Sequence, residues 1–416
     1  MSATTVVTGI GALAATGTGT EELWRAVREG RQGIGPITRF DPSGYPVRLA
    51  GEIADFDPAR WVDSRVVVQT DLWTHFALAA TSMALEDAGL DPAALDDPYS
   101  VGVTTASSSG GNLFGQREIH ALWSKGPRHV GPYQSIAWFY AACTGQMSIA
   151  HGIKGPCGVV STESAGGLDA LAHSRRAVRR GTAAMVTGGT EAPVGPYVLV
   201  CQLTGGLLSR VADPAVAYLP FTPAAAGYLP GEGGAVVVLE DARHARDRGA
   251  EPVAVVSGWG STFAGRVPAG ADDRQGWART AAPLARAVTV ALDDARLDPT
   301  DVDLVFADAI GLPEADAAEA EALYRALGPR AATVPVVAPK TGFGRLYAGS
   351  AALDSALAAL ALRDGVAPTA PGLPRPDPAL GLDVVTGDSR SVAARHALVL
   401  ARGVGGFASA LVLSRP

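Results

Sequence analysis

The stretch Val160-Ser161-Thr162-Glu163-Ser164-Ala165-Gly166-Gly167-Leu168-Asp169 is the part of this chain best suited to covalent chemistry. An apolar run that reads as a strand turns there directly into a Gly- and Ala-rich helix start. Such a turn presents one side chain to the dipole and free N–H groups of a helix N-terminus, where an anion or a nucleophile is stabilised. Ser164 holds that place. A nucleophilic serine also needs a base within reach, and the G-x-S-x-G elbow is only half matched because Thr162 stands where its first Gly belongs. The plainer reading makes Ser164 a helix N-cap.

The remaining reactive residue types form no pattern. Cys143, Cys157 and Cys201 include no C-x-x-C pair and no neighbouring His at ligand spacing, so neither a disulfide framework nor a zinc site is expected. Cys143 and Cys157 read as buried, inert thiols. His75, His120, His129, His151, His173, His244 and His396 are scattered and read as surface or structural histidines. No cofactor is called for.

Strands and helices that would position Ser164 alternate along the chain, in two halves that repeat each other. Val6-Val7-Thr8-Gly9-Ile10-Gly11 resembles Val255-Val256-Ser257-Gly258-Trp259-Gly260, each read as an apolar run ending in a Gly-x-Gly turn. Ala84 to Pro92 resembles Ala291 to Pro299, each the end of an amphipathic helix stopped before Pro. Gly233-Gly234 and Gly405-Gly406 each precede an apolar strand. Three pairs in one order argue for duplication.

In the first half VVTGIG, VGVTTAS, GVVST, AAMVTGG and AVVVLE read as buried strands, with helices near Thr70 to Ala88 and Ser164 to Arg180. In the second, AVVSGWG, LVFADA, VPVVAPK, HALVLA and SALVLS are strands, with helices near Ala281 to Ala295, Ala315 to Ala326 and Ser350 to Leu362. Continuous apolar strands imply sheets covered by helices on both faces. The expected fold is α/β, with residues 1–245 and 246–416 as two stacked βαβ-type halves.

Composition agrees. Of 416 residues 47% are hydrophobic, 18% charged and 50 are Gly, which excludes disorder and coiled coil. A net charge of −7 argues against a nucleic-acid partner. The longest uncharged stretch, Ala192 to Ser209, is broken by two Pro and three Gly and reads as no membrane span. The opening residues lack the basic start of a signal peptide. A soluble, cytoplasmic protein is expected.

The order of strand, nucleophile turn, S-x-G-L-D-A helix start, a later P-K-T-G-x-G segment and a terminal Gly-rich strand resembles the β-ketoacyl synthases of the thiolase fold. In working members the turn carries Cys, an N-x-H-G-T type motif carries one His, and K-x-x-x-G-H carries a Lys and a second His. The resemblance places Ser164 at the Cys, Asp308 of Phe306-Ala307-Asp308-Ala309 at the first His and Arg345 at the second. It keeps Lys340. Glu319 and Lys340 match positions that pair in catalytic relatives, so an ion pair between them is expected. Condensation in this family needs a thiolate to carry the acyl chain and two imidazoles to support decarboxylation. Ser, Asp and a permanently charged Arg do not replace them.

Loss of the reactive set on a kept scaffold resembles the chain length factor, the ketosynthase-β subunit of type II polyketide synthases. ITRFDPSGYPVRLAGEI (Ile37 to Ile53), AWFY with TGQ (Ala137 to Gln146), AYLPF, GYLPGEGGA and GRLYAGSAALD carry that likeness nearly end to end. Many members have Gln at the nucleophile position, where this chain has Ser164, and Val404 stands at the usual gating Phe.

The resemblance implies a heterodimer with an active ketosynthase-α, an acyl carrier protein as second partner, and a tunnel for the growing polyketide chain. It places Asn112, Gly115 and Ile119 at the tunnel's far end. Their i, i+3, i+7 spacing puts them on one helix face, with Gly115 leaving room for substrate. Trp138, Phe139 and Tyr140 in a row suit subunit contact. The Arg-rich helix end Arg175-Arg176-Ala177-Val178-Arg179-Arg180 reads as cations at a helix C-terminus, or else as a docking patch for the acidic carrier. Two other readings compete: a Ser164-dependent acyltransferase or malonyl-carrier-protein decarboxylase that supplies primer units, and a homodimeric scaffold without a polyketide role.

Overall fold

The computed structural model describes residues 4–265 and 276–416. Among the described residues the main sheet has twelve strands, the short Gly17–Thr18 pairing with the first of them and the other eleven side by side: β1 (Thr5–Ala14), β2 (Val101–Ala106), β3 (Cys157–Val160), β4 (Ala184–Glu191), β5 (Gly233–Asp241), β6 (Ala254–Phe263), β7 (Leu304–Phe306), β8 (Pro335–Val337), β9 (Asp383–Val384), β10 (His396–Gly403) and β11 (Phe407–Ser414). The helices that matter for the site are α1 (Leu72–Ala88), α2 (Asn112–Lys125), α3 (Gln134–Ala137), α4 (Ala142–His151), α5 (Gly166–Arg179), α6 (Pro196–Leu203), α7 (Ala281–Ala295), α8 (Pro313–Leu327) and α9 (Ala348–Asp364).

The strands lie side by side in the order β9-β8-β7-β10-β11-β6-β1-β5-β4-β2-β3. Outward from the central pair β1 and β6, each half repeats one pattern of pairing. Two antiparallel neighbours come first (β5 and β4; β11 and β10), then two parallel ones (β2 and β3; β7 and β8). Within the sheet the halves are joined by the antiparallel partners Val6↔Val255 and Val7↔Ala254. Parallel neighbours need crossover helices, and α5 supplies one between β3 and β4.

Five layers result. α1 packs on β1, β5 and β4, and α7 packs on β6 and β11, with α8 beside it. α5 and α9 lie between the two half-sheets, touching each other, with α9 against β4, β5 and β10. α9 is buried all round, mostly Ala and Leu with Ser350, Asp354 and Ser355 inside, and of its residues only Arg363 and Asp364 reach the surface, as a helix walled on every side requires. The expected thiolase-like sandwich of duplicated halves is therefore present.

One expectation is corrected. Gly9-x-Gly11 and Gly258-x-Gly260 are not turns but lie inside β1 and β6. A Cβ on Gly9 or Gly11 would sit 2.2 or 1.9 Å from the carbonyl oxygen of Ala84 or Ala80 on α1. On Gly258 or Gly260 it would sit 2.1 Å from that of Ala291 or Ala287 on α7. The repeated glycines let a helix backbone press onto each central strand, the same device used once per half.

Candidate functional site

β3 ends at Val160, a single 3-10 turn covers Glu163–Ala165, and α5 starts at Gly166. Ser164 is 1% exposed, and its Oγ donates to Glu163 Oε1 at 2.8 Å. It is therefore neither the exposed side chain nor the N-cap that the sequence suggests. Ala165 takes the cap position with no side-chain cap, because the extra 3-10 turn sets Ser164 one residue too early. The residue that reaches across the turn is Glu163. It adopts φ 52°, and its Oε2 accepts the N–H of Val404 from the loop between β10 and β11 at 2.8 Å. Burial pushes the Glu163 carboxyl up, opposed by Arg345 and by the N–H groups of Ser164 and Val404.

The other two changed positions meet in a buried charge lattice. Asp308 follows β7, Arg345 precedes α9, and Arg402 comes from the end of β10. Asp308 Oδ1 takes Arg345 Nη2 at 2.6 Å and its Oδ2 takes Arg402 Nε at 2.9 Å. Arg402 Nη2 also reaches Glu319 Oε2 at 2.8 Å, and its Nη1 donates to the carbonyls of Ala278 and Ala315. Arg345 donates further to the carbonyls of Asp308 and Arg402 and lies over the Tyr228 ring, 5.4 Å from its centroid. All of these side chains but Tyr228 are at most 3% exposed.

Lys340 does not pair with Glu319 as expected. Its Nζ lies 2.6 Å from Asp354 Oδ2 on α9 and donates to the carbonyl of Ala307. Glu319 is turned away because its oxygens take the N–H groups of Asp308 and Ala309 as well as Arg402. Burial alone would raise the Asp308 carboxyl, but Arg345, Arg402 and Lys340 hold it below the usual range. Glu319 and Asp354 are raised by burial, against the pull of Arg402 and Lys340 respectively.

Three cations face three carboxylates, and each carboxylate has a cation within ion-pair distance, as buried ions require. Three of the seven histidines bond elsewhere: His75 to Thr70, His244 to Glu240 and His396 to Ser414. No group of His, Cys, Asp and Glu among the described residues could hold a metal ion. No helix among them is long and apolar enough to cross a membrane.

Sequence reasoning missed Arg402, Glu163 and Glu191. An Arg inside the apolar run HALVLARG was the available signal for the first. Glu191 ends β4 fully buried, its Oε1 accepting the Ser108 N–H while Oε2 has no partner. Burial, aided by the carboxylates of Glu163 and Asp71, pushes it up from 4.5 to about 8. A raised acid binds its proton more tightly folded than unfolded, so its contribution is intact below pH 4.5 and lost as pH rises toward 8. Glu191→Gln keeps the acceptor for Ser108 and needs no proton. At pH 8 it is expected to be more stable than the wild type by on the order of 2–4 kcal/mol, and equal near pH 4.5. Urea unfolding at both pH values checks this; a variant no more stable at pH 8 refutes it.

The proposed tunnel residues part ways on α2. Asn112 is 6% exposed and its amide donates to Ser109 Oγ and the carbonyl of Gly110. Gly115 leaves no free space: a Cβ there would lie 2.7 Å from Trp138 Cδ1. Ile119 is 48% exposed. Gly115 thus seats the indole of Trp138, which corrects the expectation of an open gap.

Trp138, Phe139 and Tyr140 remain about half exposed. Ile119, Leu122 and Trp123 of α2 and Ile149 of α4 are also exposed, and Trp138 lies against Gly115 of α2. The edge strand β3 lies beside α4, with Cys157 exposed on it rather than buried. The Arg-rich end of α5 is largely engaged within the chain. Arg175 and Arg179 pair with Asp294, and Arg176 lies over Trp259.

This fold, with its strand-to-helix elbow turn and its buried charge lattice, defines a protein of the thiolase-like ketosynthase class. The sequence matches the profile of the β-ketoacyl synthase N-terminal domain over residues 3–245 and of the C-terminal domain over 253–373. The tetracenomycin polyketide synthase ketoacyl synthase beta subunit of Streptomyces glaucescens is 52% identical over 412 residues, covering 99% of this chain and 98% of its own. Among solved structures, the ishigamide ketosynthase/chain length factor superposes with a TM-score of 0.90 at 26% identity, covering 100% of both chains. A type II polyketide synthase acyl carrier protein in complex with its ketosynthase bound to the hexaketide gives 0.88 at 25%, again over 100% of both. The chain belongs to the β-ketoacyl synthase family, and within it to the ketosynthase-β, or chain length factor, group.

Proposed function

We propose that this chain is the non-elongating partner of an active ketosynthase-α in a type II polyketide synthase, and that it supplies part of the wall that sets the length of the polyketide. The observation that carries this is the Asp308–Arg345–Arg402–Glu319 lattice, which fills the place of the two imidazoles with fixed charge while the Ser164 hydroxyl is engaged by Glu163. The apolar face around Trp138 to Tyr140 is the surface for ketosynthase-α, since large aromatics at half exposure are costly to leave in water and typical of interface centres. The acyl carrier protein delivers extender units to that complex and needs no covalent attachment to this chain.

Asn112, Gly115 and Ile119, together with Trp138, line the far end of the tunnel in this reading. Gly115→Phe displaces the indole and Ile119→Trp adds bulk, and both are expected to shorten the product by at least one two-carbon unit. Trp138→Ala removes bulk and lengthens it. The test is co-expression of each variant with ketosynthase-α and carrier protein, with native mass analysis of the complex and mass analysis of the product. A 1:1 complex with shifted products supports the reading. A stable homodimer that ignores ketosynthase-α, or unchanged products from all three assembled variants, overturns it.

A further inference from the structure

α2, the helix that carries Asn112, Gly115 and Ile119, starts without a cap of its own. Its N-cap is Gly111, which has no side chain to offer the free N–H groups of the first turn. One of those groups is satisfied from 43 residues upstream, where Asp71 Oδ2 accepts the Phe114 N–H at 2.6 Å. The other oxygen of the same carboxylate, Oδ1, accepts the Trp73 N–H at 3.1 Å and caps α1. One side chain thus caps two helices.

Capping α1 needs neither an acid nor burial. Asp57, Asp63, Asp91, Asp241 and Asp377 also cap helices or 3-10 turns, each with one oxygen on the N–H two residues on, and none of them is buried. Asp71 is 3% exposed, and burial pushes its carboxyl up from 3.8 to about 6 against the N–H groups of Phe114 and Trp73. Ser or Asn would cap α1 with no charge to bury. What the second carboxylate oxygen adds is the bond to α2.

The two helices differ in how firmly they are held. α1 is pressed onto β1 through Gly9 and Gly11 and is buried along most of its length. α2 buries Asn112, Phe114, Gly115 and Glu118 and leaves most of its second half exposed. A Cβ on Gly111 would lie 1.8 Å from the carbonyl oxygen of Ala137 and 2.9 Å from Asp71 Cβ, and the Gly111 N–H donates to the carbonyl of Trp138. The start of α2 is therefore set between Asp71 on one side and the segment bearing Trp138 on the other. One turn later Gly115 receives the Trp138 indole.

We propose that Asp71 is a positioning residue for chain length: by capping α2 from α1 it holds Gly115 and Ile119 in one place relative to Trp138, so that the wall at the tunnel end has a single position. The inference rests on the reading of α2 and Trp138 as that wall, and it adds a residue that touches no substrate.

The test is co-expression of Asp71→Ser and Asp71→Ala with ketosynthase-α and carrier protein, read by native mass analysis, product masses and amide deuterium exchange of the complex. Ser keeps a cap oxygen for Trp73 but offers no second oxygen to Phe114, and Ala keeps neither. In Asp71→Ser the Phe114 amide should exchange about tenfold faster or more. About a third or more of the product should move to chains one two-carbon unit longer or shorter, as a wall that samples two positions requires. Asp71→Ala should melt lower than Asp71→Ser yet scatter the product no further, a pattern that a purely structural role does not produce. Wild-type products from an assembled Asp71→Ser complex would overturn the proposal. So would scatter that follows the melting temperature rather than the Phe114 bond. Gly115→Phe and Ile119→Trp in the same assay separate the two readings: if they shift the product and Asp71→Ser does not, only the role of Asp71 falls, and if none does, both fall. If Asp71→Ser does not assemble, Asp71→Asn decides, because its amide turns an NH2 to one of the two N–H groups and should scatter the product likewise. Wild-type products from Asp71→Asn, or failure of both variants to assemble, would make Asp71 a folding residue and overturn the proposal.

Discussion

Arg402→Leu should lower the stability of the chain by about 3–5 kcal/mol, the range found when one partner of a buried ion pair is removed. Arg402 is 2% exposed and serves four groups: Asp308 Oδ2, Glu319 Oε2 and the carbonyls of Ala278 and Ala315. Leucine fills much of the volume but leaves two carboxylates facing each other across a dry space. Glu319, already raised by burial, would then take up a proton more readily. The deficit of the variant should therefore shrink as pH falls. In the wild type the sign is opposite for Asp308, whose lowered carboxyl stabilises the fold above its unfolded value of 3.8 and loses that contribution as pH falls through the folded one. Arg402→Lys should rescue little, because one ammonium does not span the fork from Asp308 to Glu319. Removing the charges together, with Arg402→Leu, Asp308→Asn and Glu319→Gln, should cost less than Arg402→Leu alone. Urea unfolding of the four proteins checks all of this, and a loss below about 1 kcal/mol for Arg402→Leu would show that the carboxylates find other partners.

The strands and helices were legible in the sequence because each half is a simple alternation of buried runs. All ten expected strands and all five expected helices are present, with helix ends shifted by two residues or fewer. The Gly-x-Gly pairs were misread because their purpose, room for the carbonyls of α1 and α7, lies on another element. The changed reactive positions were visible one by one. What they build was not, since the lattice is closed by Arg402, some 57 residues after Arg345, and no local pattern joins them. Gly115 failed for a related reason: a missing side chain signals close approach or open space equally, and only the position of Trp138 decides. Glu163 escaped notice because its neighbour Ser164 occupies the position with the known chemistry.

Restoring the expected reactive residues should not restore condensation. In Ser164→Cys with Asp308→His and Arg345→His, the thiol would still stand against the Glu163 carboxyl that takes the Ser164 hydroxyl in the wild type, in a buried site that disfavours the thiolate that attack requires. Removing Arg345 also takes away the cation that acts most strongly on Glu163, so this group becomes harder to ionise and its hydrogen bonds to the turn change character. Arg402 would keep Glu319 but lose Asp308, and the carbonyls of Asp308 and Arg402 would lose their Arg345 donors. The triple variant is thus expected to be less stable than the wild type and to carry no acyl group on residue 164. Adding Glu163→Gly frees the Val404 N–H for a substrate oxygen and removes the carboxyl that stands against residue 164. Acylation of the new thiol at position 164 is the step this fourth change should recover first, ahead of chain elongation, because acyl transfer needs the nucleophile and a donor for the substrate oxygen whereas decarboxylation also needs imidazoles in an undisturbed setting. Both variants are assayed with a ketosynthase-α whose own nucleophile has been removed, using radiolabelled acyl carrier protein and peptide mass mapping. Elongated product from the triple variant alone would show that three residues separate this chain from a working ketosynthase and that Glu163 and Arg402 are bystanders.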